Sequence, residues 1–147
     1  MRILFLCTGN SCRSQMAEGW AHALGDNGLE FQSAGIEAHG KNPRALQVMQ
    51  DAGLDISGQE STRLTDAMLT WAELVVTVCG HADEHCPVLP PGTRKEHWPL
   101  NDPAKATGSD AEIMTVFRAS RDEIRQRVQN LIERLKTESI ESEASNL

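Results

Sequence analysis

The segment Cys7-Thr8-Gly9-Asn10-Ser11-Cys12-Arg13-Ser14 places a thiol and a guanidinium at the two ends of a short polar stretch, in the pattern Cys-x5-Arg. Such a segment suits a tetrahedral oxyanion. Gly9 and Asn10 tolerate positive φ, which lets a loop curl until the backbone N–H groups from Thr8 to Ser14 converge on one point. Arg13 can then hold two oxygens with its planar fork, and Cys7 sits at the mouth as nucleophile. A free thiol is only about 3% thiolate near pH 7, and a loop that makes it mostly thiolate gains roughly 25-fold in reactive sulfur. Loop dipoles, Arg13 and the Ser14 hydroxyl all act in that direction. An arbitrary Cys-x5-Arg is more often a buried cysteine near a solvated arginine. The apolar run before this one, the Gly-Asn within it and the helical pattern after it favour the chemical reading. No Gly-x4-Gly-Lys-Ser/Thr or Gly-x-Gly-x2-Gly occurs, so this is not a nucleotide loop by motif.

Three further residues join this segment through topology. Cys79, like Cys7, ends a strongly apolar run, and in a parallel sheet such strand ends share one edge, where open α/β folds bind ligands. If the two strands are neighbours, their spacing of about 4.8 Å falls within the Cα separation that a disulfide tolerates. Cys86, seven residues further on in a polar loop, can reach Cys79 if that loop rearranges, so three thiols can act as a relay. Asp102, in Asn101-Asp102-Pro103, follows the last strand and reaches the same edge as a general acid. Cys12 reads as a small packed residue, and His22, His39 and His97 as surface or packing residues. A zinc site from Cys79, His81, His85 and Cys86 has no familiar spacing and would disarm the thiols, so no metal is expected.

The elements that position these residues alternate. Ile3 to Leu6 form a buried-type strand, and Met16, Ala17, Trp20, Ala23 and Leu24 recur at helical spacing from about Ser14 to Gly25. Leu29 to Ser33 alternate as an edge strand, and Asn42-Pro43 caps a helix that Gly53 closes. A short helix at about 66 to 72 leads into the strand Leu74 to Val78. The stretch from Gly80 to Gly92 reads as a functional or mobile loop, and a weak strand follows near Glu96 to Leu100. A helical stripe runs from about Asp110 to Lys136, and the Ser- and Glu-rich remainder, 137 to 147, is expected to be a disordered tail. The fold class is α/β: one three-layer α/β/α domain over 1 to 136, with a central four-stranded parallel sheet flanked by helices on both faces.

Composition agrees. A chain of 147 residues with 39% apolar and 24% charged residues can bury a core without staples. No membrane span or signal peptide is visible, so a cytoplasmic monomer is expected. The net charge of −7 argues against general nucleic-acid or membrane binding, although a local anion site remains compatible with it. In a reducing cytosol four cysteines seldom form a structural framework. The absence of tyrosine is the second unusual entry in the composition.

The stretches 7 to 18, Ser33-Ala34-Gly35-Ile36-Glu37, Val76-Thr77-Val78-Cys79-Gly80, Cys86-Pro87, Glu96-His97-Trp98 and Asn101-Asp102-Pro103-Ala104 closely resemble the thioredoxin-coupled arsenate reductases, which share the fold of low-molecular-weight protein tyrosine phosphatases. The resemblance covers about residues 2 to 135. It implies that Cys7 attacks arsenate while Asp102 protonates the leaving oxygen, that Cys79 then attacks Cys7 and releases arsenite, and that Cys86 attacks Cys79. The resulting Cys79-Cys86 disulfide is reduced by thioredoxin, with no tightly bound cofactor. It also implies that Arg13 and the amides of Thr8, Gly9, Asn10, Ser11, Cys12 and Arg13 bind the oxyanion, while Ser14 supports the Cys7 thiolate. Some members bind potassium through residues matching Asn10, Glu18 and Ser33 plus an acidic residue, where this chain has Thr62. Two alternatives stand beside this reading. A tyrosine phosphatase would want aromatic walls, and nothing aromatic adjoins Asp102; a non-catalytic oxyanion or redox sensor would show no turnover.

Overall fold

Ile3, Leu4, Phe5 and Leu6 are fully excluded from solvent, which an apolar run achieves as an inner strand covered on both faces. In the computed structural model, which describes residues 1–26 and 28–145, they form most of β1 (Arg2–Cys7). The sheet is parallel, in the order β2-β1-β3-β4, with β2 at Glu30–Gly35, β3 at Leu74–Thr77 and β4 at Arg94–His97. Leu6 pairs with both Ala34 and Thr77, and Cys7 with Gly35. The strands that lead to Cys7 and Cys79 are therefore neighbours.

The chain moves one way from β1 to β2 and the other way from β2 through β3 to β4. Right-handed crossovers thus place helices on opposite faces. α1 (Arg13–Leu24) packs with the long α5 (Asp110–Ser145), and α2 (Pro43–Asp51) docks on α5. α3 (Asp66–Trp71) and α4 (Gly80–Glu84) lie against β1, and α4 also against β3. The fold is a single-domain three-layer α/β/α with helices on both faces. Asn42 caps α2 through its Oδ1, which accepts from the N–H groups of Arg44 and Ala45, and Pro43 takes the first helical position. β4 is an edge strand kept soluble by Arg94 and Lys95.

Three expectations change. The stretch after Cys79 begins as a helix, α4, which at five residues is too short to leave a periodic signal. The last strand ends at His97 rather than Leu100, because Trp98 and Leu100 turn inward and are buried. The expected tail is helical as far as Ser145. No glycine or proline interrupts it, Leu135 anchors its root in the core, and Glu138 pairs with Arg94 of β4 at 3.0 Å. Asn146 and Leu147, the end of that expected tail, lie outside the described residues.

Candidate active site

Cys7 is the last residue of β1, and the loop that follows is shaped by its neighbour strand. Beyond β2, the N–H groups of Ile36, Glu37 and His39 donate to the carbonyls of Cys7, Thr8 and Gly9 at 3.0, 2.8 and 2.9 Å. This ladder needs Gly35, where a Cβ would meet Glu37 O at 2.2 Å and Asn10 N at 2.7 Å. Of the two residues expected to take positive φ, only Asn10 does, at 49°. Gly9 meets a different constraint: a Cβ there would stand 2.2 Å from the Nδ1 of His39, which lies over the loop and would have to move aside.

Asn10 is fully buried and uses its whole amide. Its Oδ1 accepts from Thr62 N–H at 2.8 Å and Gln15 Nε2 at 3.1 Å, while its Nδ2 donates to Ser14 Oγ at 2.8 Å and Ser33 Oγ at 3.0 Å. Because Ser14 Oγ accepts from Asn10, its own proton is free to point at Cys7 Sγ, 2.8 Å away. The Asn10 backbone N–H donates to the same sulfur at 3.2 Å. Two donors thus converge on the nucleophile. α1 begins directly behind it with no side-chain cap and no acidic residue in its first turn, so its positive end is left for an anion.

Cys7, Thr8, Gly9, Ser11, Cys12, Arg13, Cys79 and Asp102 line one cleft of about 620 Å³. Arg13 is 8% exposed, with Nη1 donating to Leu100 O at 3.0 Å and Nη2 3.6 Å from Asp102 Oδ2. Asp102 is held in turn by the Ala104 N–H on Oδ1, at 3.0 Å, in a 3-10 turn over Pro103–Lys105. The resting guanidinium is therefore oriented by protein acceptors, with one of its five N–H donors committed to a carbonyl. Cys79 caps α4: its Sγ accepts the Ala82 N–H at 3.3 Å and lies 3.2 Å from Thr8 Oγ1. Cys86 follows the other end of α4, half-buried and outside the cleft, and burial pushes its thiol pKa up. Burial pushes Cys12 up to about 12, so that thiol stays protonated in spite of the Ser11 hydroxyl beside it.

Asn10, Glu18 and Ser33 do meet, but they bind one another: Ser33 Oγ donates to Glu18 Oε1 at 2.7 Å, and Glu18 Oε2 faces His22 Nε2 at 3.4 Å. Thr62 presents an N–H to this group, where a cation would want an oxygen. The acidic position of the potassium-binding pattern is thus filled here by a threonine whose N–H donates to Asn10. Among the described residues no group of three or more His, Cys, Asp or Glu is placed to hold a metal.

Sequence reasoning missed His39, His81 and Lys105, which also line the cleft. His81 and Lys105 lay within reach of the argument, two residues beyond Cys79 and Pro103 on the same sheet edge. Nothing local marks His39, whose position depends on the ladder after β2.

The chain is similar in sequence and in fold to known proteins. A chain from Halalkalibacterium halodurans named arsenate reductase is 53% identical over 132 residues, covering 89% of this chain and 94% of the relative. A structure described as an arsenate reductase in the phosphate binding state superposes with a TM-score of 0.74 at 36% identity, covering 90% of this chain and 97% of that one. The YwlE arginine phosphatase from Geobacillus stearothermophilus gives 0.80 at 29% identity, with 95% and 96% covered. The thioredoxin-dependent arsenate reductase of Corynebacterium glutamicum gives 0.73 at 26%, with 93% and 62% covered. The family model described as low molecular weight phosphotyrosine protein phosphatase matches residues 2–141, and the chain belongs to that family.

Proposed function

We propose that the protein is an arsenate reductase that works through a relay of Cys7, Cys79 and Cys86 and is recycled by thioredoxin in the cytoplasm. The observation that carries this reading is the second thiol: Cys79 stands two residues beyond β3, the strand that pairs with β1, and opens into the same cleft as Cys7, a placement that phosphate-ester hydrolysis does not require. The name carried by the half-identical relative supports the substrate, and the Corynebacterium protein supports the reductant.

Arsenate enters the loop against its amides and Arg13. Cys7 Sγ bonds to arsenic as one oxygen leaves with a proton from Asp102. Cys79 Sγ then attacks Cys7 Sγ; the S–As pair returns to arsenic, which departs as arsenite, and a Cys7-Cys79 disulfide remains. Cys86 attacks Cys79 and frees Cys7, and a dithiol partner supplies two electrons to the Cys79-Cys86 disulfide. Six residues lie between those two thiols, and the five in α4 alone contribute about 7.5 Å of rise, so α4 must unwind for this last exchange. Attack by Cys79 starts that unwinding, because it withdraws the sulfur that caps the Ala82 N–H. A cap is worth about 1 kcal/mol, and a helix this short has little else to keep it formed.

The test is a coupled assay with thioredoxin, thioredoxin reductase and NADPH, in which NADPH is consumed only when arsenate is present. Hydrolysis of a phosphotyrosyl substrate at full rate, without arsenate-dependent turnover, overturns the reading in favour of a phosphatase. The cleft disfavours that outcome, since His39 and His81 are the only ring-bearing side chains among its lining residues.

A further inference from the structure

Three of the four cysteines open onto one cleft, yet the first half of the relay uses only two of them, and only in sequence. Two free thiols facing one space are also a ligand set for a soft trivalent centre. Cys79 lies one residue further along its strand direction than Cys7 does, so a spacing of about 4.8 Å across and 3.3 Å along gives a Cα separation of roughly 6 Å. That lies within the range that one S–S bond spans. A single bridging atom holds its two sulfurs further apart than a direct bond does, so it asks less of the backbone.

We propose that Cys7 and Cys79 of the resting, reduced protein form a chelating site for trivalent arsenic, occupied by arsenite as a bridging dithiolate. In the binding step two As–O bonds of arsenous acid break and two As–S bonds form. Each departing oxygen takes one thiol proton and leaves as water, and no electrons change hands. The remaining As–OH group lies toward the loop amides and Arg13. The other thiols stay out: the Cys12 sulfur lies beside the Ser11 hydroxyl and burial holds it protonated, and Cys86 lies outside the cleft. Cys79 gives up its contacts with Thr8 Oγ1 and the Ala82 N–H to bind.

The site rests on the reductase reading only in that arsenite is then the enzyme's own product. Capture itself needs no turnover. Bound arsenic occupies the place of arsenate and both of the first two thiols, so a reduced enzyme left with its product stalls. The reaction that follows this one must therefore be of a class that removes trivalent arsenic, by transport or by thiol sequestration.

The experiment is intact-mass analysis and native thiol titration of the reduced full chain with equimolar arsenite and no arsenate. The expected adduct carries one arsenic and one hydroxyl in place of two hydrogens, with two reactive thiols lost. Phenylarsine oxide, which offers only two bonds to sulfur, is expected to bind in the same way. Cys7→Ser and Cys79→Ser each abolish both adducts, and Cys86→Ser keeps them, with circular dichroism checking that each variant is folded. No adduct, an adduct that survives Cys7→Ser, or one that Cys86→Ser abolishes overturns the site; so does an arsenic bound in place of three hydrogens. Arsenite capture without arsenate-dependent turnover refutes the reductase reading and leaves the site standing. Turnover without capture does the reverse.

Discussion

At the scale of the residue, Asn10 organises the loop. It accepts the strain of a left-handed backbone, and its four side-chain hydrogen bonds fix the direction of the Ser14 proton. Asn10→Ala keeps the strained φ without its local compensation and leaves partners such as the part-buried Thr62 N–H unpaired. It is expected to cost about 3 kcal/mol in stability. Asn10→Gly is expected to regain the backbone part alone. Denaturant titration measures the first effect, and the iodoacetamide rate at Cys7, lower in both variants, measures the loss of the oriented Ser14 donor. Equal Cys7 rates in Asn10→Gly and the parent protein would contradict this role. The Cys-x5-Arg spacing and the Gly-Asn pair made the oxyanion loop legible in sequence, because they are local. The constraint that Gly9 meets, the approach of His39, was not legible, since it depends on a ladder formed with a segment thirty residues away in the chain.

At the scale of the element, α4 joins the chemistry to a conformational change. Its middle is fastened to β4 and β3: Lys95 Nζ lies 2.8 Å from Asp83 Oδ1, and Thr77 Oγ1 donates to the same oxygen at 3.2 Å. The hydrogen bond from Lys95 is the main cause that holds the Asp83 carboxyl below its usual value of 3.8. Stability from this pair is therefore present above 3.8 and lost as pH falls through the lower folded value, so it is constant across the neutral range. Asp83→Asn removes it at every pH. A partly exposed pair of this kind is worth up to about 1 kcal/mol, so labelling of Cys86 by a thiol reagent is expected to rise up to about fivefold at pH 7. Unchanged labelling would mean that the pair does not restrain α4. The sequence marked residues 80 to 92 as a place of function or motion but could not reveal a helix. Five residues give no period, and the cap is a cysteine, which is not a familiar capping residue.

At the scale of the whole molecule, strand order decides what can meet. β1 lies between β2 and β3, so the nucleophile, the ladder that shapes its loop and the second thiol share one sheet edge. This much was legible, because buried apolar runs mark central strands and parallel strands align their ends. The far end of α5 was not, since Ser and Glu content indicates exposure and does not exclude a helix. Its last turns lean over a hollow of about 640 Å³ beside Met1 and Leu29, with no cysteine among its lining residues. We propose residues 1 to 136 as the autonomous unit. Truncation after Lys136 removes the Arg94 partner Glu138 and is expected to lower Tm by less than about 4 °C with turnover unchanged. Thermal unfolding together with the coupled assay checks this, and a large loss of either would make the end of α5 integral to the fold.

The cap on α4 carries one more implication. A single sulfur serves as both reagent and fastener, so the protein needs no separate sensor to time its rearrangement: the reaction removes the pin. The two duties are separable by substitution, because a serine hydroxyl is a stronger cap than a thiol and cannot attack sulfur. Cys79→Ser is thus expected to give a clockwork stopped at its first tick, with α4 fixed, Cys86 shielded from labelling and arsenate held on Cys7 in a form that mass spectrometry can weigh.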